Sequence, residues 1–183
     1  MMKRNGLVGL GVGGWFTLAA SFAVLAAEPQ LTEVAGQPPA PEFALTDADD
    51  RLHRLADYRG APLIVNFWAT WCAPCRAEMP ALQRAWETIE DEGIGLVAIN
   101  VGEDADAVRA FLERYPVTFP LPLDRETRVA PLWPMRGLPT TFVLDGEGRL
   151  IYEAVGEREW DDPRLLDRVR ALKTPAGMEQ AAR

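Results

Sequence analysis

The sequence predicts an α/β domain: a mixed central sheet flanked by helices, with an extra β-hairpin in front of it. Three observations carry this. Leu63 to Trp68 (LIVNFW) and Gly95 to Val101 (GLVAINV) are compact, mainly apolar runs, the pattern of strands buried on both faces. A segment of helical period follows each run. After these two βα units come a hairpin and a last amphipathic segment, so the order is hairpin, β, α, β, α, β, β, α. Parallel βα units joined to an antiparallel hairpin make a mixed sheet with helices packed against it.

Each element has its own signal. FALTDADDRLHRL, from Phe43, has short alternating runs on either side of the turn residues Asp47 to Asp50 and reads as the leading hairpin. Gly60, Ala61 and Pro62 break the chain before the first buried strand. In the segment after Cys75, Met79, Leu82, Trp86 and Ile89 recur at spacings of three and four, which is one helix face, and Gly93 ends it. Glu103 to Tyr115 reads as a second helix with Ala105, Val108, Phe111, Leu112 and Tyr115 inward. A short strand near Phe119 to Leu123 and a helical turn near Thr127 to Leu132 are expected next. GLPTTFVLDGEGRLIYEAVG, from Gly137, is the clearest hairpin, with Thr141–Leu144 and Arg149–Val155 around the turn Asp145–Gly148. Asp161 to Leu172 is the last helix, with Pro163 at an early helical position.

The flanks read differently. Residues 1–27 carry Lys3 and Arg4, an uncharged stretch from Gly6 to Ala27, and small residues at its end. That is the layout of a signal peptide or of a retained N-terminal membrane anchor, and the length from 6 to 27 suits either. Positive charge ahead of the segment keeps that end in the cytoplasm and exports the rest. Residues 28–41 hold four prolines and read as an extended tether, 42–173 as the domain, and 174–183 as a flexible tail. The net charge of −8 and the lack of any basic run argue against a nucleic-acid partner.

The chain's two cysteines stand in Trp71-Cys72-Ala73-Pro74-Cys75. Exported proteins sit where disulfides persist, but a structural bridge gains most by closing a long loop, and this one would close a very short one. Zinc wants four ligands, and the chain adds only one histidine, His53, to the thiols. A two-thiol copper(I) site helped by His53 or Met135 stays open as a chaperone or binding-module alternative. The remaining reading is electron exchange, which calls for no metal or other cofactor. At a helix start, unpaired N–H groups stabilise a thiolate. Cys72 is therefore expected to be the exposed attacker, and Cys75, one turn in, the buried resolving thiol.

NFWATWCAPCRAEMP, together with Gly-Leu-Pro-Thr-Thr-Phe at 137–142, resembles the extracytoplasmic thioredoxin-like proteins of the TlpA/ResA type over roughly residues 38–172. The resemblance implies a thioredoxin-like fold and a thiol–disulfide oxidoreductase. It makes Leu138-Pro139 the cis-proline element that faces the cysteines and binds the substrate backbone. It also places Trp71, Ala73 and Pro74 on the substrate-facing surface. Where thioredoxins carry a buried aspartate, this chain has Asn66. Glu78 matches a glutamate that such proteins set near the thiols, where it would tune them or move protons; the plainer alternative is a solvated glutamate paired with Arg76. The implied clients are disulfide-bearing exported proteins, apocytochrome c or copper-centre assembly factors. The implied electron source is a transmembrane thiol donor, and the implied place is the periplasm or the outer face of the bacterial inner membrane. A thiol peroxidase fits less well, because the position three before Cys72 holds Ala69 rather than threonine.

Overall fold

The computed structural model describes residues 31–173. The signal or anchor segment 1–27 and the tail 174–183 lie outside the described residues. Among the described residues no helix is long and apolar enough to cross a membrane.

The strands are β1 (Thr32–Glu33), β2 (Ala44–Thr46), β3 (Leu52–Arg54), β4 (Leu63–Trp68), β5 (Gly95–Val101), β6 (Leu123–Asp124), β7 (Thr140–Leu144) and β8 (Leu150–Val155). The helices are α1 (Ala73–Ile89), α2 (Ala105–Leu112) and α3 (Pro163–Arg170). Six strands form one sheet in the order β1-β8-β7-β4-β5-β6, and β2-β3 is a separate hairpin. β4 pairs parallel with β5 and antiparallel with β7, so the sheet is mixed as expected.

The two faces of the sheet hold two cores. Ile64, Trp68, Leu96, Ala98 and Val143 pack with the apolar faces of all three helices. The alternate residues Leu63, Val65, Phe67, Val97, Ile99, Phe142 and Leu144 pack with Phe43, Leu55 and Trp133, from the hairpin region and the irregular segments. Strand side chains alternate between faces, so successive residues of a strand buried on both sides serve the two cores in turn. The helices thus share one face, and the hairpin and 3-10 turns at Leu55–Tyr58 and Ala130–Leu132 cover the other.

Several boundaries differ from the sequence reading. The second helix shrinks to α2, which starts where the Asp104 side chain accepts the Ala107 N–H at 2.9 Å. The strand expected near 119–123 is reduced to Leu123–Asp124. α1 runs through Pro80 to Ile89, and the left-handed Gly93 (φ 73°) closes the short turn after it. The tether reading needs correction from Leu31 onward. β1 pairs with Tyr152 and Glu153 of β8, and the backbone N–H of Ala40 donates to Gly148 O at 2.9 Å. Leu31 and Ala40 are buried. An open strand edge has unpaired backbone groups, and this segment satisfies them while burying its few apolar side chains. The domain therefore takes in residue 31 rather than opening at 42.

Candidate active site

β4 lies between β7 and β5 in the sheet, and its end delivers the chain into the cysteine motif. Ala69 to Trp71 form the link. Glu103, just past β5, accepts from the Thr70 backbone N–H (2.7 Å), the Thr70 hydroxyl, and Asn100 Nδ2 (2.8 Å). From the other side, Arg76 Nη1 donates to Thr70 O at 2.9 Å. Thr70 is thus held through its N–H, its hydroxyl and its carbonyl, and Trp71 beside it is left 68% exposed.

Cys72 caps α1, and its Sγ accepts the Cys75 N–H at 3.3 Å. The two cysteines form a disulfide. Cys72 keeps 5% of its surface and Cys75 none. Cys75 is enclosed as expected, but Cys72, expected to be exposed, is also buried in this disulfide form. Ala73 and Pro74 open α1 and are exposed. Pro74 costs the helix nothing there, since first-turn N–H groups lack helical partners.

Glu78, one turn beyond Cys75, is buried at 2% exposure, so it is not the solvated glutamate of the plainer alternative. Its Oε1 accepts from Asn66 Nδ2 at 2.8 Å, and its Oε2 from Trp160 Nε1 and the Arg158 backbone N–H, each at 3.3 Å. Asn66 Nδ2 also donates to Thr141 Oγ1 at 2.8 Å. Burial pushes the Glu78 carboxyl up to about 7, although the hydrogen bonds from Asn66, Trp160 and Arg158 and the Arg158 charge pull the other way. A carboxyl that titrates near neutrality is suited to hold or release one proton at working pH. Asn66 Oδ1 has no hydrogen-bond partner. After an amide flip it could accept from the protonated carboxyl, so Asn66 can serve either charge state of Glu78.

Leu138-Pro139 has the cis peptide bond that the resemblance implied. Thr140 pairs with Phe67, so Pro139 enters β7 level with the end of β4, at the edge of the sheet where the motif begins. Pro139 is buried, and half-buried Leu138 packs against the cluster that contains both cysteines. The two auxiliary groups of the copper alternative are engaged elsewhere. His53 Nε2 lies 2.9 Å from Asp47 Oδ2, and its Nδ1 3.3 Å from the Tyr58 hydroxyl. Met135 packs into the other core. The sequence reading missed Trp160, Arg158, Thr141 and Glu103. The first three reach Asn66 or Glu78 only through the folded sheet, with up to 82 residues between partners, and carry no local signal. Glu103 could have been suspected only as an acidic residue at a strand end.

Residues 37–153 match the AhpC/TSA family. The chain belongs to the AhpC/TSA family. Within it, the chain is 42% identical over 119 residues to the thiol-disulfide oxidoreductase ResA of Geobacillus thermodenitrificans, covering 65% of this chain and 68% of that one. With ResA of Bacillus subtilis the identity is 35% over 134 residues, 73% of each chain. The structure of a thiol:disulfide interchange protein of the thioredoxin family from Chlorobium tepidum superposes with TM-score 0.65 at 29% identity, over 74% of this chain and 98% of that one. This AhpC/TSA member is a thiol–disulfide oxidoreductase with a thioredoxin-like fold, and the Cys72–Cys75 pair fits its active site. Thr70, the nearest hydroxyl residue before Cys72, donates to Glu103.

Proposed function

We propose that the protein reduces disulfides in exported proteins, of the kind met in apocytochrome c or copper-centre assembly, on the outer side of a bacterial inner membrane. The disulfide at the start of α1 carries this reading, with Cys72 at the helix cap and Cys75 fully enclosed one turn in. In the reduced protein the Cys72 thiolate, held by the N–H groups of the first turn, attacks one sulfur of the client disulfide. The S–S bond breaks, a mixed disulfide forms, and the other client sulfur leaves as a thiolate that takes up a proton. Cys75 then gives up its proton, with Glu78 as acceptor, and attacks Cys72 Sγ. The second client sulfur leaves, and the protein holds the disulfide. Two electrons pass to the client, and a transmembrane thiol donor restores the dithiol. Trp71, Ala73, Pro74, Leu138 and Pro139 form the surface on which the client segment lies.

The thioredoxin-like Ala73-Pro74 dipeptide between the cysteines supports flow toward the client. The deciding experiment is the equilibrium reduction potential of the purified protein, by thiol trapping in dithiothreitol and glutathione buffers. A value below about −230 mV is expected of such a reductase. A value between about −180 and −120 mV, the range of protein disulfide isomerase and DsbA, overturns the direction and makes the protein an oxidant or isomerase.

A further inference from the structure

Beside the redox pair, α1 and the end of α2 border a groove that the reaction above leaves unused. It consists of two cavities, of about 420 and 250 Å³, which share Arg114 and Tyr115. The larger begins at Thr70, only two residues before Cys72, and runs past Arg76 and Ala110. The smaller continues it along Met79, Pro80 and Val117 and is lined mainly by apolar atoms. Its shared wall is rigid. The Tyr115 ring stacks on Phe111 at 4.8 Å, and Phe111 sits 4.8 Å from the ring of Trp68, the last residue of β4.

Two arginines, Arg76 and Arg114, line this groove. The chain carries a net −8, and Arg59, Arg84, Arg109, Arg149 and Arg170 all pair with carboxylates of the chain itself. Arg76 and Arg114, like Arg51, Arg54, Arg125, Arg128, Arg136 and Arg168, are in none of the ion pairs among the described residues, and Arg76 spends one N–H on Thr70 O. Two guanidinium groups on one concavity, next to an apolar hollow, are complementary to carboxylate side chains with an apolar side chain beyond them.

We propose that this groove binds a segment of the client polypeptide adjoining its disulfide, with acidic side chains over Arg76 and Arg114 and an aliphatic side chain in the hollow by Pro80 and Val117. The proposal rests on the oxidoreductase reading and adds the substrate class: clients whose cysteine adjoins an acidic stretch with an aliphatic side chain beyond it. The carboxylates fix the register of the chain, and the hollow excludes water from around them.

The test uses the oxidised full-length protein and two synthetic peptides without thiols, Ser-Glu-Glu-Ala-Leu and Ser-Lys-Lys-Ala-Leu, titrated by NMR at low salt. The acidic peptide is expected to bind several-fold more tightly than the basic one and to shift the signals of Arg114, Tyr115 and Val117. Arg114→Glu should weaken it about fivefold, the scale of losing one exposed ion pair and gaining a repulsion. Replacing the peptide's Leu by Ser should weaken it further. Equal affinity for the two peptides, or shifts confined to other surfaces, overturns the proposal, and this comparison needs no variant to fold. Concentration-dependent dimerisation abolished by Arg114→Glu, without peptide binding, would give the groove to a second copy and also overturn it. Reduction of hydroxyethyl disulfide by the pre-reduced wild type tests the oxidoreductase reading separately, so the two failures are distinguishable.

Discussion

Replacing Glu78 by glutamine tests whether this carboxyl is neutral in the folded protein at pH below 7. The ordinary value of 4.5 rises to about 7 in the fold, because burial outweighs the donors from Asn66, Trp160 and Arg158. A raised carboxyl binds its proton more tightly in the folded state than in the unfolded one. Its contribution is therefore fully favourable below about pH 4.5 and is lost as pH rises toward and through 7. The span of about 2.5 units at about 1.4 kcal/mol each gives a loss of about 3 kcal/mol, complete a little above pH 7. Glutamine keeps the shape and cannot ionise. Its carbonyl can accept from Trp160 Nε1 and Arg158 N–H, while its amide can donate to the otherwise unpartnered Asn66 Oδ1 after an amide flip. Urea unfolding of the oxidised wild type and of Glu78→Gln, at intervals from pH 4 to pH 8.5, measures the difference directly, since all other titrating groups are common to both. The wild type should lose about 3 kcal/mol relative to the variant across this range. A constant difference would refute the reasoning, because it would mean that Glu78 ionises alike in the folded and unfolded states.

Other outcomes follow from the same geometry. Trp160→Phe removes one donor to the carboxylate while keeping an aromatic ring in the core; Glu78 should then titrate still higher, and the wild-type loss of stability at pH 8 should grow by about 1–2 kcal/mol, seen in the same urea series. Glu103→Ala frees Thr70 and Asn100 from their shared acceptor, and should cost about 2–4 kcal/mol of stability and broaden the NMR signals of Thr70 and Trp71. Cys75→Ser removes the resolving thiol, so incubation with a disulfide substrate should accumulate a mixed disulfide on Cys72, read by mass spectrometry; a trapped adduct is not expected for Cys72→Ser.

Much of the fold was legible because its signals are local. The mainly apolar run LIVNFW became β4 with the expected ends, and the spacing of Met79, Leu82 and Ile89 became the buried face of α1. The turn chemistry at Asp47 and Asp145 marked both hairpins: each side chain accepts backbone N–H groups inside its own turn. β1 was not legible. Its residues lie among prolines and glycines, and only the open edge of β8 gives Thr32 and Glu33 a partner. The full extent of the second helix was misread because Tyr115 packs against the core beyond Leu112, where the helix ends.

By itself the sequence determined the redox pair, the strand-to-helix junction that gives Cys72 a capping position, and the carboxylate one turn beyond Cys75. These depend on residue type and short spacing, which the chain sets before it folds. Only the tertiary structure decided what Glu78 is. The same glutamate in water would be an ordinary acid; buried between α1 and the sheet, with Asn66, Arg158 and Trp160 around it, it holds its proton to near neutrality. The groove beside the thiols likewise exists only once α1 and the end of α2 lie side by side on the sheet. A pKa and a concave surface depend on neighbours far apart in sequence, and no local pattern encodes them.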